Sequence, residues 1–200
     1  MACGVGVRRH SHPEGMIDMW RFLIVAVTTL LLASCSGQQQ HHNPGHGSGS
    51  GAAALGQSFT SLDGVSEWVQ QSTGECRNVQ PASKQELADY LGPLRYSWYE
   101  PFVAEWATCS VKPYAKLGLV VFKPDQQRAL QEFWQRGMSA GQITDNPDWA
   151  FGNGFAVTAG QLGIERLGLR YLWCKPVDIP HADTVAADVD GCTFVTWQHH

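Results

Sequence analysis

Lys116-Leu117-Gly118-Leu119-Val120-Val121-Phe122 is a short, almost wholly apolar run rich in β-branched residues, and it reads as a buried strand. Lys112-Pro113 starts a turn just ahead of it. Val103 to Val111, carrying Trp106 and Cys109, is a second strand, so the two are expected to pair antiparallel. On the far side, Pro124 suits the first position of a helix whose apolar face is Ala129, Leu130, Phe133 and Trp134 and which Gly137 ends.

Upstream, Ser61 can cap a helix bearing Leu62, Val65, Trp68 and Val69, stopped at Gly74. Ser83 and Glu86 form a capping box for a shorter helix with Leu87, Tyr90 and Leu91 on its apolar face, ended by Gly92-Pro93. Downstream, Trp149 to Thr158 reads as a strand with an irregularity at Gly152 and Gly154. Leu162 to Leu167 is a short helix with Gly168 after it. In Leu169 to Cys174 the alternation of Leu169, Tyr171 and Trp173 favours a strand, although Leu169, Leu172 and Trp173 also fit a helical period. Lys175 to Gly191 is a polar loop, and Gly191 to Trp197 a last strand. There is no internal repeat, and about 140 residues make one domain. The expected fold is α+β: a single small disulfide-stapled domain over 58–200, with an antiparallel sheet covered on one face by helices.

The first part of the chain has another character. Phe22 to Leu32 is apolar apart from two threonines, 11 residues in all. That suits the hydrophobic part of a signal peptide and is well short of the ~20 residues that span a bilayer. Arg21 lies on its amino side, and Leu32-Ala33-Ser34-Cys35 follows. These four residues resemble the lipobox of bacterial lipoproteins. The resemblance implies that residues 1–34 are a signal peptide and that the Cys35 thiol receives a diacylglyceryl group before cleavage. Residues 1–18 mix Arg8 and Arg9 with His10, His12, Glu14 and Asp18, and Met16 or Met19 offers a more compact start. Residues 35–57 are then the lipidated cysteine and a Gly, Ser and His-rich tether. Its composition buries no core, and as a flexible coil of about 20 residues it reaches roughly 25 Å. His41, His42 and His46 within it lack an ordered scaffold to fix a metal, so a spacer is the better reading.

Without residues 1–34 the chain keeps 11 basic and 16 acidic side chains, a charge of about −5. No basic stripe points to nucleic acid. Cys3 leaves with the signal peptide and Cys35 is consumed by lipidation. Cys76, Cys109, Cys174 and Cys192 remain, an even number in an exported chain, and read as two disulfides. Three connectivities are open; we favour Cys76–Cys109 and Cys174–Cys192. No two of these cysteines have zinc-ligand spacing, so neither metal nor cofactor is expected. Cys76, Trp106-Ala107-Thr108-Cys109, Leu119-Val120-Val121-Phe122 and Trp149 to Val157 together resemble small actinobacterial lipoproteins over roughly residues 60–175. No activity comes with that resemblance.

Four groups of residues could carry chemistry. Gly137-Met138-Ser139-Ala140-Gly141 matches G-x-S-x-G, yet it follows a helix and enters a loop, where a nucleophile elbow needs strand then helix. Asp178, His181, Asp183, Asp188 and Asp190 lie between Cys174 and Cys192 without the spacing of a calcium loop. Glu100 and Glu105 flank aromatics as a conceivable carboxylate pair. Tyr96, Trp98, Tyr99, Phe102 and Trp106 could form a platform on which a sugar or peptide stacks, or could fill the core. The expected function is a binding or accessory module of the cell envelope, lipid-anchored on the extracytoplasmic face of the membrane. Its partner would be an envelope protein, peptide or glycan. An envelope hydrolase with an unidentified active site is the alternative.

Overall fold

A strand that is apolar on both sides must be hydrogen-bonded on both edges and covered on both faces, because neither its backbone nor its side chains can face water cheaply. The run around Leu119 is such a strand. The structure, a computed structural model, describes residues 51–197. In it β3 (Tyr114–Phe122) has every residue from Leu117 onward buried. Leu117, Leu119 and Val121 enter one apolar cluster and Val120 and Phe122 another, as the two-residue period of a strand requires.

Strand β2 (Val103–Val111) pairs with β3 antiparallel, Trp106 opposite Val120 and Ala107 opposite Leu119. Lys112-Pro113, joined by a cis peptide bond, makes the two-residue turn between them. The other strands are β1 (Gln80–Pro81), β4 (Ala150–Phe151), β5 (Phe155–Val157), β6 (Arg170–Trp173), β7 (Asp183–Ala186) and β8 (Thr193–Thr196). All join one eight-stranded antiparallel sheet in the order β1-β2-β3-β5-β4-β6-β8-β7.

The α+β class and the antiparallel sheet stand. The cover is fuller than the expected single layer: helices lie on both faces. On one face α1 (Leu62–Thr73) contributes Leu62, Val65 and Val69, and α5 (Gly160–Leu167) contributes Leu162 and Leu167. On the other, α2 (Lys84–Leu91) supplies Leu87 and Leu91, α3 (Pro93–Tyr99) supplies Tyr99, and α4 (Gln126–Ser139) supplies Leu130 and Trp134. The reason is the continuous apolar run of β3 itself, which no one-sided cover can keep dry.

Local chemistry fixes the ends of these helices. The Ser61 hydroxyl accepts from the Gly64 N–H at 3.3 Å, and Gly74 closes α1 in the left-handed region at φ 73°. The capping box is present in both directions: the Glu86 N–H donates to Ser83 Oγ, and the Ser83 N–H donates to Glu86 Oε2 at 2.7 Å. That second bond holds the Glu86 carboxyl below its usual range.

Four segments differ from expectation. Pro93 starts α3 as well as ending α2, so part of the aromatic segment is helical. Trp149 to Thr158 is a hairpin of β4 and β5 about Gly152-Asn153-Gly154, where one interrupted strand was expected. The polar loop 175–191 contains the edge strand β7. Residues 51–57, assigned to the tether, belong to the domain: a 3₁₀ turn over Gly51–Leu55 places the Ala52 N–H on Asp188 Oδ2 at 3.0 Å. Cys35, His41, His42, His46 and the candidate starts lie outside the described residues.

Both favoured disulfides are formed. Cys76–Cys109, with Cα atoms 5.0 Å apart, ties the exit of α1 to β2. Cys174–Cys192, with Cα atoms 4.0 Å apart, ties the end of β6 to the approach to β8. The first closes a separation of 33 residues. Replacing Cys76 and Cys109 together with Ala is therefore expected to lower stability by about 3–4 kcal/mol, read from urea denaturation with midpoint and m-value fitted together, because the freer denatured chain raises m. A loss under about 1 kcal/mol would show that α1 is held to the sheet by packing alone.

Candidate functional site

A helix turns successive side chains by about 100°, so a dense aromatic segment in helical form points in several directions and does not line up as a row. That is the fate of the expected platform. Tyr99 stacks on Trp149 with ring centroids 3.7 Å apart and planes 12° from parallel, deep in the core. Burial pushes its phenol well above the usual value, with Asp148 adding to the effect. Phe102 and Trp106 are also buried, and the Trp106 indole N–H donates to the Ser83 carbonyl at 2.8 Å. Tyr96 and Trp98 are half-buried and pack against the same cluster. Tyr99, Phe102 and Trp106 belong to the core, and Tyr96 and Trp98 stand half-buried against it, so the five do not line up as one continuous surface.

The other candidate groups have structural roles. Gly137 lies inside α4, packed so closely on Ile143 that a Cβ there would stand 2.6 Å from its Cδ1. The helix ends at Gly141, in the left-handed region at φ 68°. The Gln142 N–H donates to the Gly137 carbonyl and the Gly141 N–H to that of Met138, which is a Schellman stop. The G-x-S-x-G match is thus a helix terminus. Glu100 forms an ion pair with Lys84, which holds its carboxyl below the usual range. Asp183 pairs with Arg170 at 2.6 Å. Asp188 accepts from the Gln131 side-chain amide at 2.8 Å as well as from Ala52. Among the described residues no three His, Cys, Asp or Glu side chains gather to hold a metal.

A cleft of about 490 Å³ runs past Lys123, Gln127, Arg128, Asn153 and Asp188. Its polar groups serve the fold. Lys123 donates to the Pro101 carbonyl, Arg128 pairs with Glu132, and buried Gln127 donates to the Gly152 carbonyl and accepts from the Gly154 N–H.

A smaller cleft, about 310 Å³, is built differently. On β6 the two-residue period puts Leu172 in the core and Tyr171 and Trp173 on the opposite face. β8 pairs Val195 with Tyr171, and Trp197, two residues on, joins the same side. Tyr171 and Trp197 stack at 5.1 Å with planes 18° apart, and Trp173 stands edge-on to Trp197 at 6.4 Å and 77°. All three are half-buried. Gly160 makes the room: a Cβ there would lie 2.2 Å from the Tyr171 ring and 2.4 Å from the Asp148 carbonyl. Partial burial holds the Tyr171 phenol above its usual value.

The loop Asp145-Asn146-Pro147-Asp148 forms the opposite wall. It is fastened on several sides. The Cys174 N–H donates to Asn146 Oδ1 at 2.8 Å, the Trp134 indole to the Asp145 carbonyl at 3.0 Å, and Lys175 to the Thr144 carbonyl. Arg95 forms an ion pair with Asp148. The signals for this site were the alternation of Tyr171 and Trp173 and the Trp at the end of the last strand. No protein-family model, no curated protein and no solved structure matches the chain.

Asp188 makes a prediction of its own. Replacing it with Ala leaves the buried Gln131 amide and the Ala52 N–H without their acceptor, at an expected cost of about 1–3 kcal/mol. Asp188→Asn keeps an acceptor oxygen and is expected to recover most of the loss in thermal denaturation. Equal destabilisation by both variants would show that the charge, not the hydrogen bonds, holds this corner.

Proposed function

We propose that the chain is a lipoprotein, exported and held on the extracytoplasmic face of the cell membrane by acyl chains on Cys35, and that its domain binds an envelope component. The single observation that carries the reading is that all four cysteines left after processing are joined in two disulfides, a chemistry of oxidising compartments. The sequence around Cys35 supports it independently. Among the described residues no helix is long and apolar enough to cross a membrane, so attachment of this part would fall to lipid.

Binding is favoured over hydrolysis by what the displaced ionisable groups do. Active sites gather perturbed groups in a cleft. Here Glu86 caps a helix, Glu100 and Lys84 pair on the surface, and Tyr99 fills core. Tyr171 does face a cleft, beside two indoles and with Asp145, Asp148 and Lys175 also in its lining.

Metabolic labelling with an alkyne fatty acid tests the anchor. The mature protein is expected to carry the label and to partition into detergent, and Cys35→Ser to abolish both. Non-reducing thiol titration of the denatured protein is expected to find no free thiol among Cys76, Cys109, Cys174 and Cys192. An unlabelled wild-type chain with four reactive thiols would overturn the proposal.

A further inference from the structure

We infer that the cleft between Tyr171, Trp173, Trp197 and the loop 145–148 is a saccharide-binding subsite for an uncharged oligosaccharide. The inference rests on the reading of the domain as a binding module and is independent of the lipid anchor.

A pyranose ring has an apolar C–H face and a polar rim. A site for it needs an aromatic surface with hydrogen-bonding groups around the edge. Tyr171 and Trp197 stack on each other nearly in parallel, so the part of the pair that lines the cleft offers the surface, and Trp173, turned by 77° to Trp197, gives it a side wall. At about 310 Å³ the cleft is at the small end of ligand sites and suits a short stretch of a chain.

The rim supplies both kinds of polar partner. Asp145 and Asp148 are exposed carboxylates that, beyond the bonds they take from Thr144 and Arg95, keep lone pairs to accept from sugar hydroxyls. Asn146 has its Oδ1 engaged by the Cys174 N–H, which turns its amide NH₂ into the donor. Lys175, held to the Thr144 carbonyl, keeps further ammonium protons. The loop is fastened to its surroundings before any ligand arrives, which lowers the ordering cost of binding.

Other occupants fit less well. A peptide recognised by strand addition needs an open sheet edge, and β6 is hydrogen-bonded to β4 on one side and β8 on the other. Nucleic-acid bases could stack here, but a single-strand groove must also be basic to follow phosphates, and Asp145 and Asp148 are on the rim. Asp148 is paired with Arg95, and Lys175 balances Asp145 on the same rim, so the rim is near neutral and suits an uncharged chain over uronic or phosphorylated sugars.

The test uses the full mature protein in detergent, titrated with chitotetraose, cellotetraose and maltotetraose, with oligogalacturonate and an unrelated peptide as controls. Saturation-transfer NMR and calorimetry read binding. At least one neutral tetramer is expected to bind saturably. Trp197→Ala is expected to weaken it by about tenfold or more, as for loss of an aromatic anchor, and Trp173→Phe to stay within a few-fold of wild type. Asp145→Ala, at an exposed position, removes a hydroxyl acceptor without touching the stack and is also expected to weaken binding, which keeps the test decisive if Trp197→Ala does not fold. Absence of saturable binding to all three tetramers, equal affinity in Trp197→Ala and Asp145→Ala, or preference for the anionic sugar or the peptide would overturn the inference. A chain that binds sugar but takes no fatty-acid label would sink the anchor and leave the subsite. A labelled chain that ignores the sugars would do the reverse.

Discussion

The dry burial of β3 on both faces is the condition the rest of the domain satisfies. Leu117, Leu119 and Val121 face one way and Val120 and Phe122 the other, and all are within a few per cent of complete burial. Each such side chain removed from water contributes about 1.5–3 kcal/mol. Losing either cover would therefore cost a large part of the stability a domain of this size has. β2 and β5 close the hydrogen-bond ladders on its two edges. The helices divide accordingly, α1 and α5 on one side and α2, α3 and α4 on the other. The Cys76–Cys109 bridge reinforces the first cover by joining the end of α1 to the strand beside β3.

Much of this was legible, for local reasons. Capping is decided within four residues, so Ser61, the Ser83 and Glu86 box, Gly74 and Gly168 could be read directly, and they mark real helix ends. The paired strands β2 and β3 were legible because their apolar runs are long. The two-sided cover was in principle present in the unbroken apolar stretch of β3, since a sheet solvated on one face alternates. The missed elements are those whose form is set from a distance. β7 is a polar edge strand, with no apolar alternation to announce it, and exists because β8 lies beside it. The 3₁₀ turn over Gly51–Leu55 looks like tether by composition and is ordered by Asp188, 136 positions away.

The site was harder to read than the fold, and the aromatic residues show why. Density drew attention to Tyr96 through Trp106, but density says how much aromatic surface there is, whereas periodicity says where it points. A helix followed by a strand sends Tyr99, Phe102 and Trp106 inward. Tyr171 and Trp173 are sparser, yet their spacing of two in a strand puts both on the face opposite Leu172. Trp197 joins them only through the register of β6 against β8, which no local pattern encodes. Motif matching misled in the same way: G-x-S-x-G contains the small residues a Schellman stop also uses.

Two buried amides show how differently the two ends of this sheet are made firm. Gln127 and Gln131 stand one turn apart on α4, and each offers both a donor and an acceptor without the desolvation cost of a charge. Gln127 bonds the Gly152 carbonyl and the Gly154 N–H, and Gln131 bonds the carboxylate and backbone N–H of Asp188. One helix thereby holds the β4–β5 hairpin and the segment between β7 and β8, and through Asp188 it also seats Ala52. The 145–148 loop is fixed by other means: Asn146 to the backbone of Cys174, Lys175 to Thr144, and Trp134 to Asp145. Those contacts depend on where Cys174 lies, and Cys192 sets that through the disulfide. The amides and the second disulfide meet in the segment between β7 and β8, where Cys192 follows Asp188 and its sulfur lies 3.9 Å from the Gln131 carbonyl. Loosening the amides should therefore unseat the start of the domain and also reach the aromatic cleft, because α4 holds the cleft's loop through Trp134 and touches the disulfide through Gln131.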